Sequence, residues 1–463
     1  ALSKSMQVEE NQIIILDLNE HTITAAEGFS TRIFTNYGDL TIQGNGTVDV
    51  TAAGAAGYGT VNNYGTLTVV DGTYNNMKES DASNFYNRNG GTATFIEPTI
   101  YGGGGCVATE VNTTTTIKGG YYEDSTYPAI ENRGDMTITG GTFKNTSCSS
   151  CDGRWGYTVR SGEKSENAYL KIQGETEDSV KVTGVQGGLA VIGGTADIYN
   201  GSYETAPCKI HGGDKAFYAG YFTGESYKTA TTIYGGTFES CSKNAVQVGN
   251  GNPAPDSGAG EESTVMIKDG TFIGGDAANT AIIVEDMENA IGAANITGGS
   301  FSSDVKDFID PSSDLKPNEN GQWVATPIPE SEGVAAIGDK YYRTLEDAVR
   351  AVSEGGTITI LRDVDEAPGI SVPSGKNFTL DFAGHTYTLS NPGAGSTGTE
   401  TNGFQLLKDS DIVFKNGTIR ISDKNGSAGS GKPIGRIIQN YANLTLEDMQ
   451  FYAKNQAGGE NYA

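Results

Sequence analysis

Positive charge, histidine and long apolar runs are all scarce in this chain. Lys and Arg together number 31 against 57 Asp and Glu, a formal net charge of −26. That excess of carboxylates repels nucleic acid and anionic membrane surfaces and excludes both as partners. No apolar run is long enough to cross a bilayer, so no membrane insertion is expected of this segment. There are 3 histidines and 5 cysteines. Cys148 and Cys151 bracket Ser-Ser in a polar insertion with no strand-helix pattern beside it, so they read as a local disulfide or two ordinary thiols, not as a redox motif. Cys106, Cys208 and Cys241 are scattered, and His211 is the only histidine outside a repeat, which leaves a tetrahedral metal site without ligands. No metal site and no cofactor are therefore expected. The acidic run from Glu285 to Glu288 could hold Ca²⁺, but a solvated acidic loop accounts for it and no Ca²⁺ motif supports it.

What is abundant is glycine, 65 residues, without the Gly-X-Y period of collagen. The glycines punctuate one recurring phrase: an alternating apolar strand, a Gly-containing turn, then Thr or Ser and an aromatic. It appears as Leu67-Thr-Val-Val-Asp-Gly-Thr-Tyr74, Thr115-Thr-Ile-Lys-Gly-Gly-Tyr-Tyr122, Met136-Thr-Ile-Thr-Gly-Gly-Thr-Phe143, Thr231-Thr-Ile-Tyr-Gly-Gly-Thr-Phe238 and Ala294-Asn-Ile-Thr-Gly-Gly-Ser-Phe301, among others. Alternation directs one face of each short strand inward, and the glycines supply the positive φ of a sharp bend. Gly120 and Gly141 are 21 residues apart and Gly201 and Gly236 are 35 apart, which leaves no room for a helix between most neighbours. Coils this short cannot bury their own apolar face. Stacked on one another they can, and the fold class is all-β, a parallel β-helix solenoid of about ten coils and roughly 50 Å in its first part.

Stacking predicts files of like residues. Ile42, Val69, Phe95, Ile117, Ile138, Ile198, Ile233, Ile267 and Ile296 form an aliphatic file, and Tyr74, Ile100, Tyr122, Phe143, Tyr203, Phe238, Phe272 and Phe301 a largely aromatic one. Asn36, Asn63, Asn87, Asn132 and Asn440 precede the strand phrase, where stacked amides satisfy buried turns. These residues are scaffold. Arg88 and Arg133 follow ladder asparagines where Tyr37 and Tyr64 stand in other coils, and read as exposed turn decorations.

The rhythm changes near residue 302. A helical turn over Ser303–Ile309 and a strand over Gly321–Thr326 are expected to plug the first solenoid, which occupies 1–326. A Pro-rich linker follows at 327–340, and a second unit fills 341–463. It opens on a helix capped by Thr344, with Leu345, Ala348, Val349 and Val352 as its apolar stripe, placed to lid the first rung. Ile370–Thr388 aligns without a gap to Met6–Thr24, so Leu380-Asp381 matches Leu16-Asp17 and His385 matches His21. A repeat position shared by two histidines points to a structural hydrogen bond, not to catalysis. Where the second unit has its helix and first strand the first has only Ala1–Ser5, and Leu444–Phe451 has little after it. The expectation is a fragment of a longer protein, or a subunit whose ends pair with another copy.

The run Tyr342–Val364, the Leu-Asp-x-x-x-His-Thr-x-Thr phrase and the Thr-Ile-x-Gly-Gly-Thr-Phe rungs resemble the tandem right-handed, pectate-lyase-like β-helix domains of large surface proteins from gut Gram-positive bacteria. The resemblance covers nearly the whole chain. It implies two right-handed units in tandem and an exported, adhesin-like or stalk-forming protein held to the cell wall through a segment not present here.

Three functions compete. A polysaccharide lyase needs an acidic Ca²⁺ site and an Arg or Lys base, and no such cluster stands out. A hydrolase needs two carboxylates across a groove, which stacked acids could supply, but the paired aspartates and Gly-His-Gly segment of pectin hydrolases do not occur and His211-Gly-Gly-Asp214 is no match. A fibre subunit would need only its terminal rungs. The favoured expectation is a non-catalytic, extracellular surface module that binds a host or polysaccharide ligand, or further copies of itself. Its contacts would lie on the irregular insertions, with Arg154, Trp155 and Tyr157 as the candidate ligand-binding residues and no catalytic residue.

Overall fold

A computed structural model of the chain describes residues 1–51, 58–76, 82–123, 127–145, 156–163, 165–185, 187–205, 215–220, 228–249, 263–275, 280–285, 292–393, 401–422 and 433–453. Two compact units result, one of residues 1–309 with 315–325 and one of 310–314 with 326–463.

In the first unit every coil contributes one strand to each of three parallel sheets. Sheet 1 begins Met6–Val8, Phe34–Asn36, Val61–Asn63, sheet 2 begins Ile13–Asp17, Asp39–Gln43, Thr66–Val69, and sheet 3 begins Thr22–Thr24, Thr47–Asp49, Thr73–Asn75. Sheets 1 and 2 each run through 11 strands in strict chain order. This is a parallel β-sheet solenoid. The predicted files follow from the register: Val69 pairs with Ile42 and Phe95, Ile117 with Phe95 and Ile138, and Ile233 with Ile198 and Ile267. Ile172 fills the gap between Ile138 and Ile198, and Val182 the gap between Phe143 and Tyr203. Rings stack one per coil, with centroids 4.6 Å apart for Tyr203 and Phe238 and 5.1 Å for Phe238 and Phe272, close to the strand spacing of about 4.8 Å. The turn glycines take the expected positive φ, +107° at Gly236 and +127° at Gly270.

The asparagine file holds over its first three members. Asn36 Nδ2 donates to Asn63 Oδ1 at 2.7 Å, and Asn63 Nδ2 to Asn87 Oδ1 at 2.8 Å. Thr109 occupies the next position and donates to Asn132 Oδ1 at 3.2 Å. Asn440 is not in this file: it lies in the second unit, exposed, in register with Leu406.

After the last coil, the strand Trp323–Pro327 pairs antiparallel with Gly299–Phe301. Val305 and Ala325 are buried in the core, with Phe308, Leu315 and Trp323 packed against it. The second unit has its own core, and residues 335–337 and 340–342 are antiparallel strands of its sheet, so the Pro-rich segment is built into that unit. Its helix, Leu345–Ala351, begins where Thr344 Oγ1 accepts the Asp347 N–H at 3.1 Å, and buries Leu345, Ala348 and Val349. The phrase shared by the two units is a turn device. Asp17 accepts the Asn19 N–H at 2.9 Å and Asp381 the Ala383 N–H at 2.8 Å, while His21 and His385 donate backbone N–H groups to Leu18 and Phe382. The His385 ring adds a 3.3 Å contact to Asp363.

Candidate functional site

Alternation along sheet 1 turns Phe34 and Asn36 inward and Thr35 outward. The same outward position is Asn62, Tyr86, Ala108, Glu131 and Arg160 in the following coils, all in register. The first five of these six residues floor a groove of about 870 Å³. One wall comes from the connections that lead into sheet 1, with Arg32, Tyr58, Ser83 and Tyr127; the other comes from the turns that leave it, with Arg88 and Arg133.

Charge is dense in this groove. The first unit has five arginines, and the four among the described residues, Arg32, Arg88, Arg133 and Arg160, all line the groove or lie beneath it. Arg32 is buried, and its Nη1 donates to the carbonyls of Ser83 at 2.6 Å, Asn84 at 3.1 Å and Val61 at 3.3 Å. Burial, reinforced by the nearby Arg88 charge, pushes its pKa down to about 9. The Arg88 guanidinium lies 3.8 Å from the centre of the Tyr86 ring, a cation–π contact, and donates to Glu110 at 2.7 Å. Burial works to raise the Glu110 carboxyl, but the Asn89 N–H and Arg88 outweigh it and hold the group low. Burial and the Glu110 charge push the Tyr86 phenol up.

Deeper in, two arginines and two glutamates interlock. Arg133 contacts Glu131 and lies 2.9 Å from Glu163; Arg160, with no exposed surface, lies 2.5 Å from Glu163 and 3.3 Å from Glu131. Gly162, at φ +93° with no room for a Cβ beside the Gly193 carbonyl, turns the chain so that Glu163 reaches back to both arginines. Both carboxyls thus sit on the same two guanidinium groups, and the protonation of each bears on the other. Burial outweighs the arginines at Glu131 and raises its pKa; at Glu163 burial is overcome by Arg160, the Glu131 hydrogen bond and Arg133, and the pKa falls.

The residues singled out in the sequence lie elsewhere. Arg154 and Trp155 fall outside the described residues, as do Cys148 and Cys151, His211 and Asp214, and residues 286–288 of the acidic run. Tyr157 is not available to a ligand. It is 3% exposed, packed in a small cluster with Ala190, Ile192 and Tyr218, and its ring lies where any Cβ on Gly187 would come within 2.2 Å. Arg88 and Arg133 are likewise not exposed decorations: each is paired with a carboxylate at the groove. Cys241 is disulfide-bonded and Cys106 is a buried thiol. Among the described residues no group of three or more His, Cys, Asp or Glu could hold a metal ion. No protein-family model matches the chain, and no curated protein matches it.

Proposed function

We propose that the chain is part of an extracellular bacterial surface protein, and that its first unit is a non-catalytic, adhesin-like module that holds a glycan in the groove over sheet 1. The convergence of three tyrosines and the unit's described arginines on one open groove carries this reading. Glycan sites combine aromatic rings with a few fixed polar groups, and this groove offers Tyr58, Tyr86 and Tyr127 beside Asn62, Arg88 and Arg133. The scaffold belongs to the same proposal: two right-handed solenoids in tandem, the second lidded by its helix, projecting the groove from a cell wall. A glycan array tests it. The native protein should retain a defined set of glycans, and Tyr86→Ala should lose that set while its thermal unfolding stays within a few degrees. Binding that survives Tyr86→Ala unchanged would place the ligand elsewhere.

The divergent carboxyl pair favours one second reading, hydrolysis or elimination of a polysaccharide, because unequal carboxyl pKa values mark acid–base pairs. Two features oppose it. Glu131 and Glu163 are clamped on the same two guanidinium groups, which fill the space between them where a sugar would need a gap of about 5 Å, and both carboxyls are paired with arginines. Product assays on charged and neutral polysaccharides, with and without Ca²⁺, separate the readings: turnover abolished by Glu131→Gln would replace the binding module with an enzyme.

A further inference from the structure

Resting on the glycan reading, we infer that the groove selects sugars bearing an anionic group, a carboxylate or a sulfate, and that Arg88 and Arg133 are the residues that hold it. The chain as a whole carries a net charge of −26, which by itself would turn such ligands away. The groove inverts that sign locally. Four guanidinium groups, on Arg32, Arg88, Arg133 and Arg160, meet three carboxylates, Glu110, Glu131 and Glu163.

The four arginines are not equivalent. Arg32 is committed to backbone carbonyls, and Arg160 is fully buried beneath the surface. Arg88 and Arg133 each keep 27% of their side-chain surface exposed, and both line the groove. They stand at turn positions two coils apart, since the Asn87 position aligns with Thr109 and the next coil carries Asn132. Two coils span about 10 Å. Each guanidinium has donors in a planar fork suited to a carboxylate or sulfate, and Tyr86, under Arg88, offers a ring to the sugar that carries the group. A neutral sugar would leave these charges without a new partner.

The test compares matched ligands by titration calorimetry with the whole chain: hexagalacturonate against its carboxyl-reduced counterpart, and a κ-carrageenan hexasaccharide against its desulfated form. At least one charged member should bind about tenfold or more tighter than its neutral twin, as one charge-assisted contact allows. The pair that shows the difference tells carboxylate from sulfate. Arg88→Gln should remove the preference. Glu110→Gln, which deletes the carboxylate competing for Arg88, should strengthen binding of the charged member, an effect of opposite sign that a misfolded variant could not produce. Equal binding of charged and neutral twins would overturn this inference and leave the glycan reading standing. Failure of all four to bind, together with an empty glycan array, would overturn that reading as well.

Discussion

At Glu131 and Glu163 two carboxyls of one kind, touching the same two arginines, are driven in opposite directions. Glu131 has its pKa raised by burial, so its contribution to stability is full below the unfolded pKa and is lost as pH rises through the folded value. Glu163 has its pKa lowered, so its contribution is present above the unfolded pKa and is lost as pH falls through the folded value. At neutral pH Glu163 therefore carries the charge that Arg160 needs. Glu163→Gln should lower the unfolding free energy by about 3 kcal/mol, because it leaves a buried guanidinium short of its counter-charge. Glu131→Gln keeps a neutral hydrogen-bonding partner in place and should cost less than about 1 kcal/mol. Urea titrations at pH 7 measure both, and equal losses would show that the pair shares its charge evenly. On acidification the native protein should approach the stability of Glu163→Gln.

Among the elements, the asparagine file shows how a turn is made self-consistent. Asn63 donates to Asn87 Oδ1, Gly65 O and Thr92 O, and accepts from Asn36, all in a buried site. Asn63→Ala strands its neighbours' polar groups and should cost about 2–4 kcal/mol, seen as a lower melting temperature, whereas Tyr64→Ala at the exposed next position should change it little. The solenoid was legible in the sequence because a period of two inside each strand and a glycine turn after it repeat in almost every coil. Ile172 and Val182 escaped notice because their coil lacks the Gly-Gly-Thr-aromatic phrase and inserts a 3₁₀ turn at Glu177–Ser179 instead. The groove was hidden for a different reason. Its residues come one or two from each of several coils, on the outward face that repeat-reading assigns to solvent. The available signal was the arginine count: five in the first unit, two of them replacing tyrosine in a turn file. Tyr157 misled because an aromatic in a polar insertion looks exposed, while its strand, Tyr157–Ser161, is buried on both faces.

On the scale of the whole molecule, two compact units each enclose a separate core. All described groove residues belong to the first. A segment of residues 1–325 should therefore keep its β circular dichroism and bind the same glycans with affinity within about threefold of the full chain; loss of binding would mean that the second unit shapes the site. Against the acidity of the whole chain the groove's positive excess acts only at short range, within a Debye length of about 8 Å at physiological salt. The most direct measurement is a crystal structure of the chain soaked with the charged hexasaccharide that binds most tightly. Sugar density is expected across Tyr86, with an acidic oxygen within hydrogen-bonding distance of Arg88 or Arg133. Density on another face of the solenoid, with the groove empty, would contradict it.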